Sequence, residues 1–203
     1  MKRIIIICVA VVCAVLGIYG GLSSGSGSSS QAASPAAAES SQRMLVAYFS
    51  RSGNTQKLAE IIQGKTGADI YRIDPAEPYP TDYQATVARY RQERDQHRLP
   101  ALASPVPDMS GYDVIFIGYP NWGSDMPPVV QSFVKLSSLS GKTVIPFCTN
   151  GGGGFGHSVE TLKSLAPGAT ILEGYETTGR TVDQHVQDIS KWIQNLGLSA
   201  VRT

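Results

Sequence analysis

Met44-Leu-Val-Ala-Tyr-Phe-Ser-Arg-Ser-Gly-Asn-Thr55 is an apolar run that ends in small hydroxylated residues around a glycine. The unbroken run Met44 to Phe49 predicts a strand buried on both faces, as in a parallel sheet covered by helices. Leu58, Ile61 and Ile62 then recur on one side of a helix that closes near Gly64. Between strand and helix, Ser50 to Thr55 crowd a helix N-terminus, where unpaired N–H groups and the positive dipole end attract an anion. The plain alternative is a turn with Asn54 or Thr55 as helix cap. No lysine stands where GxxxxGK(S/T) would need one, so the loop is not a triphosphate P-loop. GxGxxG is absent as well, which disfavours a Rossmann dinucleotide site.

The same alternation continues outward. Asp69 to Ile73 reads as a short strand ended by Pro75 and the Pro78-Tyr79-Pro80 turn, and Tyr83 to His97 as a polar, arginine-rich helix. Tyr112 to Gly118 is a third strand, followed by a helix over Val129 to Leu136 behind Pro127-Pro128. Thr143 to Cys148 is a fourth strand, Ser158 to Leu165 a helix and Thr170 to Gly174 a fifth strand. Val182, Val186, Ile189, Ile193 and Leu196 set out the last helix at i, i+4, i+7 spacing. Strands alternating with helices argue for a parallel α/β sheet covered on both faces.

The chain has 203 residues and a formal net charge of +1, so bulk positive charge holds no nucleic acid here. Its length suits one domain with an appendage, and the domain from Met44 to Thr203 is nearly neutral. The appendage begins with Lys2-Arg3 and an uncharged stretch from Ile4 to Leu22. As a helix that stretch reaches roughly 28 Å, close to the ~30 Å core of a bilayer. An uncleaved anchor fits the length, and a cleaved signal peptide or a lipoprotein signal at Cys13 are the alternatives. Lys2 and Arg3 would stay in the cytoplasm, which sends the domain outside, membrane-anchored or secreted. Residues 23–43 are rich in Ser, Gly and Ala and read as a disordered tether. Outside the apolar segment Cys148 is the one cysteine, which leaves no disulfide and no cysteine metal cluster.

Ligands of such sheets bind beyond the carboxyl ends of the strands. Three loops fall there. Besides Ser50 to Thr55, they are Tyr119-Pro-Asn-Trp-Gly-Ser-Asp-Met-Pro-Pro128 and Thr149-Asn-Gly-Gly-Gly-Gly-Phe-Gly156. The tryptophan of the first offers a flat face for a ring, or else folds back over the core. The glycines of the second let backbone N–H groups approach a ligand closely.

Together these loops carry a resemblance. Tyr48-Phe-Ser-Arg-Ser-Gly-Asn-Thr55 resembles the phosphate loop of flavodoxins. Gly118-Tyr-Pro-Asn-Trp-Gly123 and Phe147-Cys-Thr-Asn-Gly-Gly152 resemble the two loops that embrace the isoalloxazine ring in that family. The resemblance spans Met44 to Leu198. It implies a three-layer αβα sandwich on a five-stranded parallel sheet of order 2-1-3-4-5, which is the family's own order and not a deduction from spacing. It also implies FMN as cofactor. Ser50, Ser52, Asn54 and Thr55 would bind the phosphate through hydroxyls and amides, with Arg51 and Gly53 adding backbone N–H groups. Pro120, Asn121, Trp122 and Gly123 would line one ring face, Trp122 stacking. Thr149, Asn150, Gly151, Gly152 and Gly153 would meet the ring edge and its N5 region. One departure stands out. Many flavodoxins stack a tyrosine on the outer face from the third loop, which is glycine here, so that Phe155, Tyr79 and Tyr83 are the aromatics nearby.

Flavin brings its own redox chemistry, so no catalytic side chain and no metal are expected. His97, His157 and His185 are scattered, Cys148 reads as a packed thiol, and Arg89, Arg91, Arg94 and Arg98 as a solvated helix face or a steering patch for an anion. Three function classes follow: an electron carrier docking a redox partner protein, an FMN-dependent NAD(P)H oxidoreductase reducing a quinone or other small acceptor, and a flavin-free binding module.

Overall fold

Strand β1 (Met44–Tyr48) is an interior strand of a parallel sheet, and its alternate side chains feed two separate cores. In the computed structural model, which describes residues 42–198, the elements are β1, α1 (Asn54–Thr66), β2 (Asp69–Arg72), α2 (Tyr83–Asp95) and β3 (Val114–Pro120). They continue through α3 (Pro128–Leu136), β4 (Thr143–Asn150), α4 (Ser158–Leu165), β5 (Thr170–Ile171), β6 (Tyr175–Thr178) and α5 (Val186–Asn195). The sheet order is β2-β1-β3-β4-β5, and every pairing is parallel. The apolar N-terminal segment and most of the Ser/Gly/Ala tether, up to residue 41, lie outside the described residues. Within them no helix is long and apolar enough to cross a membrane.

Leu45, Ala47, Ile115, Ile117 and Tyr119 pack on one face of the sheet with Val129, Phe133 and Leu162 of α3 and α4. Met44, Val46, Tyr48, Val114 and Phe116 pack on the other with Leu58, Ile62, Ile189 and Ile193 of α1 and α5. This alternation is the period-2 geometry of a strand applied to an all-apolar run. Gly118 is part of it: a Cβ there would lie 2.0 Å from Phe147 Cζ, so the glycine makes room for that ring.

The edge beyond β4 departs from the single fifth strand expected over Thr170 to Gly174. Two short strands, β5 and β6, share it. Val144 pairs with Ile171 and Phe147 with Tyr175, so Ile145 and Pro146 oppose Leu172, Glu173 and Gly174. That extra residue is a bulge. Val144 C=O accepts from Leu172 N–H (3.0 Å), so Pro146, two residues on, faces the same edge with no N–H to contribute. The ladder breaks at the proline and resumes as β6, which the sequence reading missed.

Other boundaries shift by local chemistry. Strands β3 and β4 run on to Pro120 and Asn150 because Pro120 pairs with Thr149. Helix α1 continues past Gly64 and stops at Gly67 (φ 69°), whose N–H returns to Gln63 C=O. The residues from Val182 expected to begin the last helix form instead the end of a 3-10 segment, Gly179–Gln184, and α5 starts at Val186. Helix α2 ends at Asp95 in a Schellman motif: Arg98 N–H bonds Glu93 C=O (2.8 Å) and His97 N–H bonds Arg94 C=O (3.0 Å). His97 takes the left-handed position (φ 49°) where glycine is usual.

Candidate functional site

The carboxyl ends of β1, β3 and β4 open on a cleft of about 450 Å3, and all three loops reach it. In the first loop, buried Ser50 turns its Oγ to accept from Gly53 N–H (3.1 Å), which closes the turn on itself. Gly53 is the N-cap at φ 88°, a conformation open to glycine, and no side chain caps α1. The cap expected at Asn54 or Thr55 is therefore absent. The first bond into the helix is Lys57 N–H to Gly53 C=O (3.0 Å). The N–H groups of Asn54, Thr55 and Gln56 come before it, have no acceptor among the described residues and have no acid in their turn. These are donors waiting for an anion.

Ser52 and Asn54 line the cleft beside them. Thr55 is buried and shares a hydrogen bond with Thr149 (Oγ1 to Oγ1, 2.8 Å), tying α1 to the end of β4. Arg51 lines the cleft too, but its guanidinium is committed: Nε donates to Thr86 Oγ1 (3.1 Å) and Nη2 to Thr81 C=O (2.6 Å).

In the second loop Trp122 and Asp125 exchange backbone hydrogen bonds (2.9 and 3.2 Å) around Gly123 (φ 58°) and Ser124 (φ 66°). Two positive φ values make this a tight hairpin turn of the primed kind. A Cβ at Gly123 would lie 2.2 Å from the Tyr90 hydroxyl, which donates to Trp122 C=O (2.8 Å). The half-buried Trp122 indole packs edge-to-face against Phe49 (5.5 Å), Tyr79 (5.0 Å) and Tyr90 (5.8 Å) while lining the cleft. It is a fixed wall. Pro120 and Asn121 line the cleft next to it, and Asn121 Nδ2 donates to Gly154 C=O (2.6 Å), joining the second loop to the third.

In the third loop Thr149, Asn150 and Gly151 line the cleft. Asn150 Oδ1 accepts from Gly152 N–H (2.7 Å), and its Nδ2 donates to the Glu176 carboxylate. Gly152 and Gly153 lie just beyond the lining, and a Cβ on Gly151 or Gly152 would meet nothing within 4 Å. The space over this loop is open.

One contributor escaped the sequence reading, and a second was read only in part, through Tyr83 and the Arg91 and Arg94 patch. Gly179, brought in by β6, lines the cleft, and a Cβ there would lie 2.7 Å from Asn54 Nδ2. The whole far wall is α2, which presents Tyr83, Thr86, Val87, Tyr90, Arg91 and Arg94. Their i, i+3, i+4, i+7 spacing marks one helix face and was a visible signal. Tyr83, 65% exposed, is the ring at the mouth. Tyr79 lies instead beneath Trp122, with its hydroxyl on Glu93 Oε2 (2.7 Å).

No carboxylate lines the cleft, and three arginines do. Cys148 is buried at the end of β4, where burial first and Glu176 second push its thiol up to about 12. Tyr119 is raised strongly by burial, and its hydroxyl bonds Ser158 Oγ (3.0 Å). Among the described residues no group of His, Cys, Asp or Glu could hold a metal ion.

The family profile described as flavodoxin matches residues 43–196. A Bacteroides eggerthii structure described as a candidate flavoprotein is 35% identical, covers 73% of this chain and 98% of its own, and superposes with a TM-score of 0.62. A second, from Bacteroides uniformis, is 29% identical over 76% of this chain and 99% of its own (TM-score 0.67). A Lactobacillus acidophilus flavoprotein solved in complex with FMN shares the fold at 22% identity, over 74% of this chain and 99% of its own (TM-score 0.60). No curated protein matches the chain.

Proposed function

The chain belongs to the flavodoxin family, and on that footing we propose that it is an electron-transfer flavoprotein that holds FMN in the cleft between its three loops. One observation carries the assignment. The unpartnered amides of Asn54, Thr55 and Gln56 stand at the N-terminus of α1, where Ser52 and Asn54 line a carboxylate-free cleft of about 450 Å3, a size that suits a cofactor. The phosphate would take those amides together with Ser52 and Asn54, while Ser50, Gly53 and Thr55 keep the loop in shape. Pro120, Asn121 and Trp122, with Gly123 behind them, would wall one side of the ring. Thr149, Asn150 and Gly151 would meet its edge, with Gly152 and Gly153 leaving room above. Bound FMN supplies the redox chemistry, and the chain contributes position, charge and exclusion of water.

Purified chain incubated with FMN should retain one equivalent after gel filtration, with the flavin fluorescence quenched. A chain that retains none overturns the assignment.

The arginine-lined α2 wall and the exposed Tyr83 at the mouth favour a second reading, an FMN-dependent oxidoreductase taking electrons from NAD(P)H to a quinone or another small acceptor. NADPH added without air should then bleach the flavin absorbance promptly. A carrier that depends on a protein redox partner would leave it unchanged. Lys2-Arg3 and the uncharged stretch to Leu22 support a place at the membrane, or secretion, with the domain on the extracytoplasmic side.

A further inference from the structure

A second cleft, about 480 Å3, lies behind the Trp122–Asp125 hairpin, between α2, α3 and α4. It shares Tyr90, Arg94 and Gly123 with the first, so the hairpin and one face of α2 separate the two. Its lining includes apolar residues, with Met126 and Pro128 buried and Leu99 and Leu165 half-buried. Arg94, Arg98, Lys135, His97 and His157 belong to the same lining.

The two acids of this cleft are already committed within the fold. Glu93 is fully buried and takes Arg89 Nε (2.8 Å) and the Tyr79 hydroxyl (2.7 Å), with Arg98 farther off at 3.9 Å. Asp125 accepts from Met126 N–H (2.7 Å) with one oxygen and from the Thr161 hydroxyl (2.8 Å) with the other. Lys135 and the side chains of His97 and His157 make no hydrogen bond or ion pair among the described residues. His97 stands at a left-handed helix end where glycine would cost less, and its imidazole lines this cleft. An unpaired lysine, with two arginines and two imidazoles in the same lining and half-buried leucines beside them, matches a ligand with an apolar body and an anionic group.

We propose that this second cleft binds a small organic anion, its apolar body on the half-buried Leu99 and Leu165 and its phosphate, carboxylate or sulfonate group taken by the basic side chains of the lining, Lys135 foremost. The site stands on its own lining. Its role as the seat of a small-molecule electron partner beside the cofactor rests on the flavoprotein reading.

The test is calorimetric titration of the full chain saturated with FMN, using ADP for a nucleotide source and anthraquinone sulfonate for a quinone source. Saturable binding of at least one probe is expected, weaker at high salt. Lys135→Glu, an exposed change on α3, should weaken it about tenfold or more and His157→Gln about threefold, with the FMN stoichiometry unchanged. ADP alone binding assigns a nucleotide, and the quinone alone a quinone. Failure of both probes to bind at millimolar concentration overturns the proposal, as does binding indifferent to Lys135→Glu. FMN uptake is read first from absorbance, so its failure counts against the flavoprotein reading alone. The titration is then run on the flavin-free chain, where binding in the first cleft would reveal itself by insensitivity to Lys135→Glu.

Discussion

Glu93 sits with no solvent exposure beneath the cleft, held by Arg89, Tyr79 and Arg98. The carboxylate in turn holds the Tyr79 phenol far above its usual range, burial contributing most. Glu93→Gln removes the buried countercharge of Arg89, which keeps Pro78 C=O (2.9 Å) as an acceptor, and a loss of about 3 kcal/mol in urea unfolding is expected, since breaking a buried pair leaves a charge less well compensated. Tyr79→Phe, which takes the hydroxyl donor from buried Glu93 Oε2, should cost about 1 to 3 kcal/mol. Trp122 rests on Tyr79, so its own removal is read twice. Trp122→Ala should weaken FMN binding about tenfold or more by fluorescence titration, and cost ~3 kcal/mol of stability for the cavity left among Phe49, Tyr79 and Tyr90. Cys148 adds a pH dependence. Its thiol is raised to about 12 in the fold, against ~8.5 in an unfolded chain. The folded state therefore has this stability in full below the unfolded value, and loses it as pH rises toward the folded one, by up to ~1.4 kcal/mol per pH unit. The buried Tyr79 and Tyr119, also raised, add to the loss in the same direction above pH ~10. Urea midpoints measured across alkaline pH should fall, and Cys148→Ala should remove the earlier part of that fall.

Helix α1 and strand β4 are joined at the cleft by one buried contact, the Thr55–Thr149 hydroxyl pair at 2.8 Å. Thr55→Val or Thr149→Val leaves a buried hydroxyl without its partner and should cost about 1 to 2 kcal/mol each. The double variant should cost less than the sum, by ~1 kcal/mol in a double-mutant cycle, because its second change removes an orphan. Equal additivity would mean that the pair does not join the two elements. At the opposite edge, Pro146 divides one expected strand into β5 and β6 and swings the second toward α1, which is how Gly179 reaches Asn54. The proline was plain in the sequence. Which neighbour its missing N–H faces depends on register, which no local pattern states.

Across the whole molecule, the family profile begins at residue 43, where Arg43 is already engaged with Asp69 (3.0 Å) and the Tyr112 ring. A chain beginning at residue 42 should therefore keep the melting temperature and FMN stoichiometry of the full chain, and the full chain alone should sediment with membranes. Loss of folding in the shorter chain would count against the tether reading, and equal sedimentation against the anchor. The two-sided core, the alternation of strands and helices and the three loops at one rim were legible from residues 44–198. Strand period, helix period and glycine-rich turns are local properties, set within a few residues of each other. That the α2 face closes the cleft, the Gly123–Ser124 hairpin under Tyr90, the divided edge strand and the second cleft came only with the tertiary structure. Each depends on segments far apart in the chain meeting at a given register and packing angle, and that choice is made by the fold as a whole.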